Sequence, residues 1–142
     1  MPMIPFAKLL DSAYAPTISH DHDAGMDFYC QRYTSINPYK QALISTGITV
    51  EIPRGFVGLL KPKGAHHRLI GSGVIEWTYQ GEIIFRVFNA TDEEIVITRG
   101  KPIGQMIIVE NLEPIPIEVD RGIIHIRPTD RGATGGIVLS SV

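Results

Sequence analysis

Three short segments combine residue types that do chemistry with glycines that let a ligand approach the backbone. In Asp23-Ala24-Gly25-Met26-Asp27-Phe28-Tyr29 an acid alternates with apolar and aromatic neighbours. That pattern fits a strand entering a core, with Asp27 either capping a turn or facing a site. Taken alone, it reads as structure first. In the run from Gly71 to Glu82, Glu76 emerges beside Trp77 and Tyr79. Gly71 and Gly73 permit close backbone approach to a ligand. A carboxylate there can act as general base toward a water, while an aromatic face covers a sugar or base. A hairpin with a solvated glutamate accounts for the same residues equally well. From Arg99 to Met106 a turn leads into a strand, and Gln105 offers a carboxamide able to orient water or phosphate. Most such glutamines are plain surface residues.

Two further stretches carry candidate chemistry. Asp130-Arg131-Gly132-Ala133-Thr134-Gly135-Gly136 suits an arm that orders on an anion, since glycine amides and an arginine match phosphate oxygens. The plainer alternative is a frayed terminus. His66 and His67 are adjacent, so in an extended chain they point to opposite faces and do not share one metal ion. No phosphate-binding Gly-Lys-Ser/Thr loop and no Gly-x-Ser-x-Gly elbow is present.

The elements that must position these groups are strands. Gln41 to Ile52 reads as a strand pair's worth of β-branched residues, closed by Pro53-Arg54-Gly55. Phe56–Leu60, Glu94–Thr98 and Gln105–Val109 are of strand length, and Glu82–Asn89 reads as a buried strand. Ile115, Ile117 and Val119 alternate along a Pro-rich segment that suits an edge or bridging strand, a candidate for pairing with another subunit. Ile123 to Ile126 reads as one more strand. Strands at roughly 8–12-residue spacing, broken by Gly and Pro, indicate an all-β sandwich or barrel. No window of helical length keeps an apolar stripe free of Gly or Pro.

Composition bounds the partners. The chain has 142 residues, 13 basic and 15 acidic side chains and a formal net charge of −2. That balance argues against nucleic-acid backbone binding, which needs a clustered basic face. With 44% apolar and 20% charged residues, the chain is expected to fold as a globular domain. Cys30 is the single cysteine, so intramolecular disulfides and cysteine-rich zinc sites are excluded, and it is expected to pack as a small hydrophobe. No signal-like segment and no apolar run near 18 residues is visible, so the expectation is a soluble, cytoplasmic protein without membrane contact.

In order along the chain, these segments resemble the five short motifs of the trimeric deoxyuridine triphosphatases (dUTPases). Ala24 to Tyr29 resembles the first motif, and Pro62-Lys63-Gly64 lies where the family has Pro-Arg-Ser. Gly73 to Glu82 is similar to the third, Gly-Val-Ile-Asp-x-x-Tyr-x-Gly-Glu. Gly100 to Met106 resembles the fourth, and Arg131 to Gly136 the start of the fifth. The resemblance implies a distorted β-barrel or jelly roll over residues 1–127, with an arm over 128–142 exchanged between subunits of a homotrimer. It implies hydrolysis of dUTP to dUMP and pyrophosphate with Mg²⁺ held by the triphosphate and water, not directly by the protein.

Carried over, the catalytic residues are Glu76 as base, Gln105 and Asp27. Lys63, Gly64, Arg131, Gly135 and Gly136 are expected at the phosphates. The backbone of Ile70, Gly71, Gly73, Val74 and Ile75 is expected at the uracil, and Tyr79 on the deoxyribose. The chain departs from the family at several points. Glu76 replaces Asp, Lys63 replaces Arg and loses its bidentate fork, and Gly64 replaces Ser. The span from Pro62 to Glu76 is shorter than the family's, and Ile137-Val138-Leu139 stands where Phe-Gly-Ser is expected. These departures keep open two alternatives: a non-catalytic trimer that binds a nucleotide or protein, and a hydrolase for another deoxynucleotide.

Overall fold

The computed structural model describes residues 1–63, 68–70 by backbone only, and 73–124. Its described chain divides into two units, Met1–Leu112 and a second that starts at Glu113. The expected boundary between residues 127 and 128 lies outside the described residues.

The first unit is built of strands: β1 (Phe6–Lys8), β2 (Gly25–Tyr29), β3 (Thr34–Ile36), β4 (Gln41–Val50), β5 (Phe56–Pro62), β6 (Arg68–Ile70), β7 (Gly73–Glu76), β8 (Glu82–Asn89), β9 (Ile95–Ile97) and β10 (Pro102–Glu110). They form two antiparallel four-stranded sheets, β1-β4-β8-β6 and β2-β10-β5-β7, with β3 and β9 as a separate pair. One apolar core lies between the sheets. Ile44, Ile48, Ile83, Phe85 and Val87 come from the first, Phe28, Leu60, Ile103 and Met106 from the second, all buried. The Phe28 and Phe85 rings meet at 5.9 Å and 49°, a tilted packing that suits aromatic quadrupoles. Gly104 makes this approach possible, because a Cβ there would stand 2.6 Å from Phe85 and 2.9 Å from the Lys61 carbonyl. The expected all-β architecture is therefore observed, and Cys30 is fully buried as expected. No helix among the described residues is long and apolar enough to cross a membrane.

Four expectations need correction. Gln41–Val50 is one ten-residue strand, not a pair. Its pairing with β8 shifts register between Ser45 and Thr49, around Gly47 at φ 68°. Glu82 fills that irregularity by accepting hydrogen bonds from Ser45 Oγ and, at 2.8 Å, from the Gly47 amide. The bulge is thus satisfied inside the strand, and the chain does not turn back. Second, β8 is buried on one face only, since Ile84, Arg86 and Phe88 point outward.

Third, residues 113–119 form no edge strand within the chain itself, while their expected pairing with another subunit stands apart from this single-chain observation. Pro114 and Pro116 each remove an amide, and Ile115 and Ile117 stay exposed. Fourth, Ile123 and Ile124 belong to a short helix, α1 (Arg121–Ile124), with the Ile123 amide bonded to the Asp120 carbonyl at 2.9 Å. The three-residue strands β1 and β3 were not legible from periodicity, because three residues do not establish a period.

Candidate active site

The outward face of the β2-β10-β5-β7 sheet carries the candidate side chains. Asp27, Gln105 and Lys61 lie in one cross-strand row, since Gln105 pairs with Asp27 on one side and Lys61 on the other. Asp27 is buried at 2% exposure, roofed by the segment before β2, whose Thr17 bridges to it through two backbone hydrogen bonds. Its Oδ2 accepts from Ser19 Oγ and from the Lys63 ammonium. Its Oδ1 is buried and has no hydrogen-bond partner among the described residues.

Gln105 closes this corner from the side. Its Nε2 donates to the Pro62 carbonyl at 3.1 Å, and its Oε1 lies over Gly25, where a Cβ would come within 2.5 Å of it. The glycine of the first segment is therefore a packing requirement of the glutamine in the fourth. Ser19 was missed in the sequence. It lies outside the motif residues, and only the bridge between Thr17 and Asp27 brings it in.

Lys63 is about one-third exposed, and the Asp27 carboxylate hydrogen-bonded to it holds its ammonium above the usual lysine range, burial opposing. Because the folded-state value is raised, the ion pair adds stability that is complete below pH 10.5 and fades as pH climbs through the higher folded value. The gap in unfolding temperature between the protein and Lys63→Gln is accordingly expected to narrow as pH rises past 10.5. Thermal denaturation across that range checks it, and a constant gap contradicts the pairing.

Glu76 lies at the other end of the same face. It closes β7, opposite Val57 of β5. Its carboxylate is exposed and carries no hydrogen bond or ion pair among the described residues. The turn that follows is tightly organised. The Tyr79 amide bonds the Glu76 carbonyl at 3.0 Å, and the Tyr79 hydroxyl donates to the Glu82 carbonyl at 2.6 Å. The Tyr79 ring folds over Gly81, where a Cβ would meet its hydroxyl at 2.5 Å. Trp77 stacks under the Arg54 guanidinium, 5.4 Å from the ring centre, beside a groove of about 630 Å³. In the sequence Arg54 stands only as the middle of the turn Pro53-Arg54-Gly55, and nothing local links it to Trp77.

Within one chain these two corners do not meet. From the row of Asp27 to the row of Glu76 is four residues along β5, or ~13 Å, and β2 is three strand spacings from β7, ~14 Å. Asp27, Gln105 and Lys63 are brought together, whereas Glu76 and Tyr79 form a separate group. Gly73 and Ile75 face the core side, where a Cβ at Gly73 would meet Leu60 at 3.0 Å, and Val74 is exposed outward. Along this stretch β6 pairs with β8 and β7 with β5, in different sheets. Gly64, Gly71, Arg131, Gly135, Gly136, His66 and His67, and the side chain of Ile70, lie outside the described residues. No three acids or histidines cluster as a metal cage among the described residues.

Comparison with known proteins identifies the family of the chain. The sequence profile of the dUTPase family matches residues 11–136. The deoxyuridine 5'-triphosphate nucleotidohydrolase of Hydrogenobaculum sp. is 31% identical over 78% of this chain and 82% of its own. The protein of the same name from Clostridium kluyveri is 32% identical over 90% and 91%. Among solved structures, a variant of Staphylococcus bacteriophage 80alpha dUTPase with dUpNHpp superposes with a TM-score of 0.81 at 23% identity, covering 96% of this chain and 97% of that one. A variant dUTPase from phage phi11 of S. aureus, described for its coordination of a structural Mg(II) ion, gives 0.77 at 23% identity over 84% and 97%. At that identity the structural likeness speaks for the fold, whereas the profile and the curated relatives establish the family: the chain belongs to the dUTPases.

Proposed function

We propose that this protein is a dUTP diphosphatase that cleaves dUTP to dUMP and pyrophosphate, acting as a homotrimer in the cytoplasm. The observation that carries the reading is the turn of residues 76–79. It presents an exposed carboxylate, at Glu76, unpaired among the described residues, beside an aromatic ring held by Tyr79 Oη on the Glu82 carbonyl. As general base, Glu76 takes a proton from the attacking water. The water oxygen bonds to the α-phosphorus as the bond to the bridging oxygen of pyrophosphate breaks. Tyr79 has its hydroxyl engaged, so it offers its ring face, which suits an apolar deoxyribose edge and leaves no place for a ribose 2′-hydroxyl.

The other corner binds the phosphates. Lys63 has N–H groups beyond the one on Asp27, Gln105 orients water or phosphate, and Asp27 holds Lys63 in place. Gly64, Arg131, Gly135 and Gly136 complete the phosphate subsite in this reading, and the backbone of Ile70, Gly71, Gly73, Val74 and Ile75 reads the uracil. The donor set fits Mg²⁺ carried by the substrate. The described residues offer a lone buried carboxylate, Asp27, and no cage, while Mg²⁺ characteristically keeps its waters and binds substrate phosphates. When bound it neutralises charge on the triphosphate. The separation of the two corners supports an assembly in which one chain's Glu76 serves another chain's Asp27, Gln105 and Lys63.

The test is pyrophosphate release by the purified protein with Mg²⁺ and, separately, dUTP, dCTP, dTTP and UTP. Release with dUTP alone is expected. No release with dUTP, or equal release with UTP, overturns the reading.

A further inference from the structure

Resting on that reading, we infer that Arg54 is a positioning residue for Glu76, acting through Trp77. The carboxylate of Glu76 has no partner among the described residues, so among these residues the backbone of its turn is what aims it. On the β5 side the backbone is held by the pairing of Val57 with Glu76. On the far side it is held by the Tyr79 amide and by the Tyr79 hydroxyl on Glu82. Trp77, the residue between, is 38% exposed and borders a groove of about 630 Å³ instead of a packed core. What stands over its ring is the guanidinium of Arg54, at 5.4 Å.

Arg54 is itself well anchored. It sits in the turn before β5, closed by the Phe56 amide on the Pro53 carbonyl at 3.1 Å, with Gly55 at φ 92°. The positive φ gives the chain the left-handed residue this turn requires. The cation–π stack therefore ties together two turns at the same end of the β5–β7 pair, one rigid and one bearing the base. A guanidinium keeps its charge at any working pH and stacks flat on an aromatic face, which a lysine ammonium does less well. Loss of the stack frees Trp77 to swing into the groove and lets Glu76 wander. Placement errors of about 1 Å are enough to cost orders of magnitude in rate.

Trp77 is the single tryptophan of the chain, so its emission reports on the stack without interference. Arg54→Ala is expected to raise acrylamide quenching of that emission, to lower kcat about tenfold and to leave KM for dUTP nearly unchanged. Arg54→Lys is expected to recover part of both effects, and Trp77→Phe, which keeps an aromatic face, to lower kcat less than Arg54→Ala. Circular dichroism and thermal unfolding of each variant guard against general loss of fold. Raised quenching with unchanged kcat overturns the positioning role, as does a fall in kcat with unchanged quenching. Absence of pyrophosphate release from the unaltered protein overturns the functional reading itself, a result distinct from either.

Discussion

Glu76→Gln is expected to lower kcat for dUTP by about 10²- to 10⁴-fold, the usual contribution of a positioned general base. The substitution keeps the size and polarity of the side chain and removes its ability to accept the water's proton. Because Glu76 is exposed and makes no hydrogen bond or ion pair among the described residues, no described contact depends on its charge. Thermal unfolding of the variant is therefore expected to match that of the unaltered protein, and calorimetric titration with a non-hydrolysable dUTP analogue to show retained binding. A loss of binding equal to the loss of rate would instead make Glu76 a substrate anchor. Retained turnover would remove it from the chemistry altogether.

The second large effect follows from geometry across chains. Asp27 and Glu76 are separated by ~13 Å along the strands and ~14 Å across them, too far to serve one reacting phosphorus within a protomer. Asp27→Ala and Glu76→Gln preparations are each expected to be inactive. Dissociated together and reassembled in equal amounts, they are expected to regain about one quarter of the unaltered rate. In a closed ring each site draws its two corners from different chains, and chance pairs two intact corners in that fraction. Colorimetric pyrophosphate assay of the mixture, against each preparation reassembled alone, reads the result directly. No recovery would mean that both groups serve a site within one chain, and the assembly in the proposal would fall.

The two predictions differ in how far their grounds were legible beforehand. The candidate residues themselves were readable. Asp27 lies on a strand entering the core, and Glu76 stands at the end of another beside two aromatics. Turn chemistry was readable too: Pro53-Arg54-Gly55 does end one strand pairing and begin β5. Buried β8 was half right, because an isoleucine- and phenylalanine-rich run looks the same whether one or both faces are covered. The supports of the site were not readable. Ser19 on Asp27, Glu82 in the Gly47 bulge and Arg54 on Trp77 join residues that no local pattern links.

What the sequence by itself determined was the menu. Branched and aromatic residues at period two, interrupted by glycine and proline, leave little besides short antiparallel strands, and the motif residues set which functional groups are available. The tertiary structure alone decided their distances. Period two tells which face of a strand a side chain takes, but not which strand lies next to it, because pairing is settled by long-range burial. Gln105 is brought against Gly25 because β10 pairs with β2, and Glu76 is kept from Asp27 because β5 and β10 stand between β7 and β2. One sheet face thus carries two separate groups of candidate residues, and the strand order, which no local pattern records, sets the distance between them.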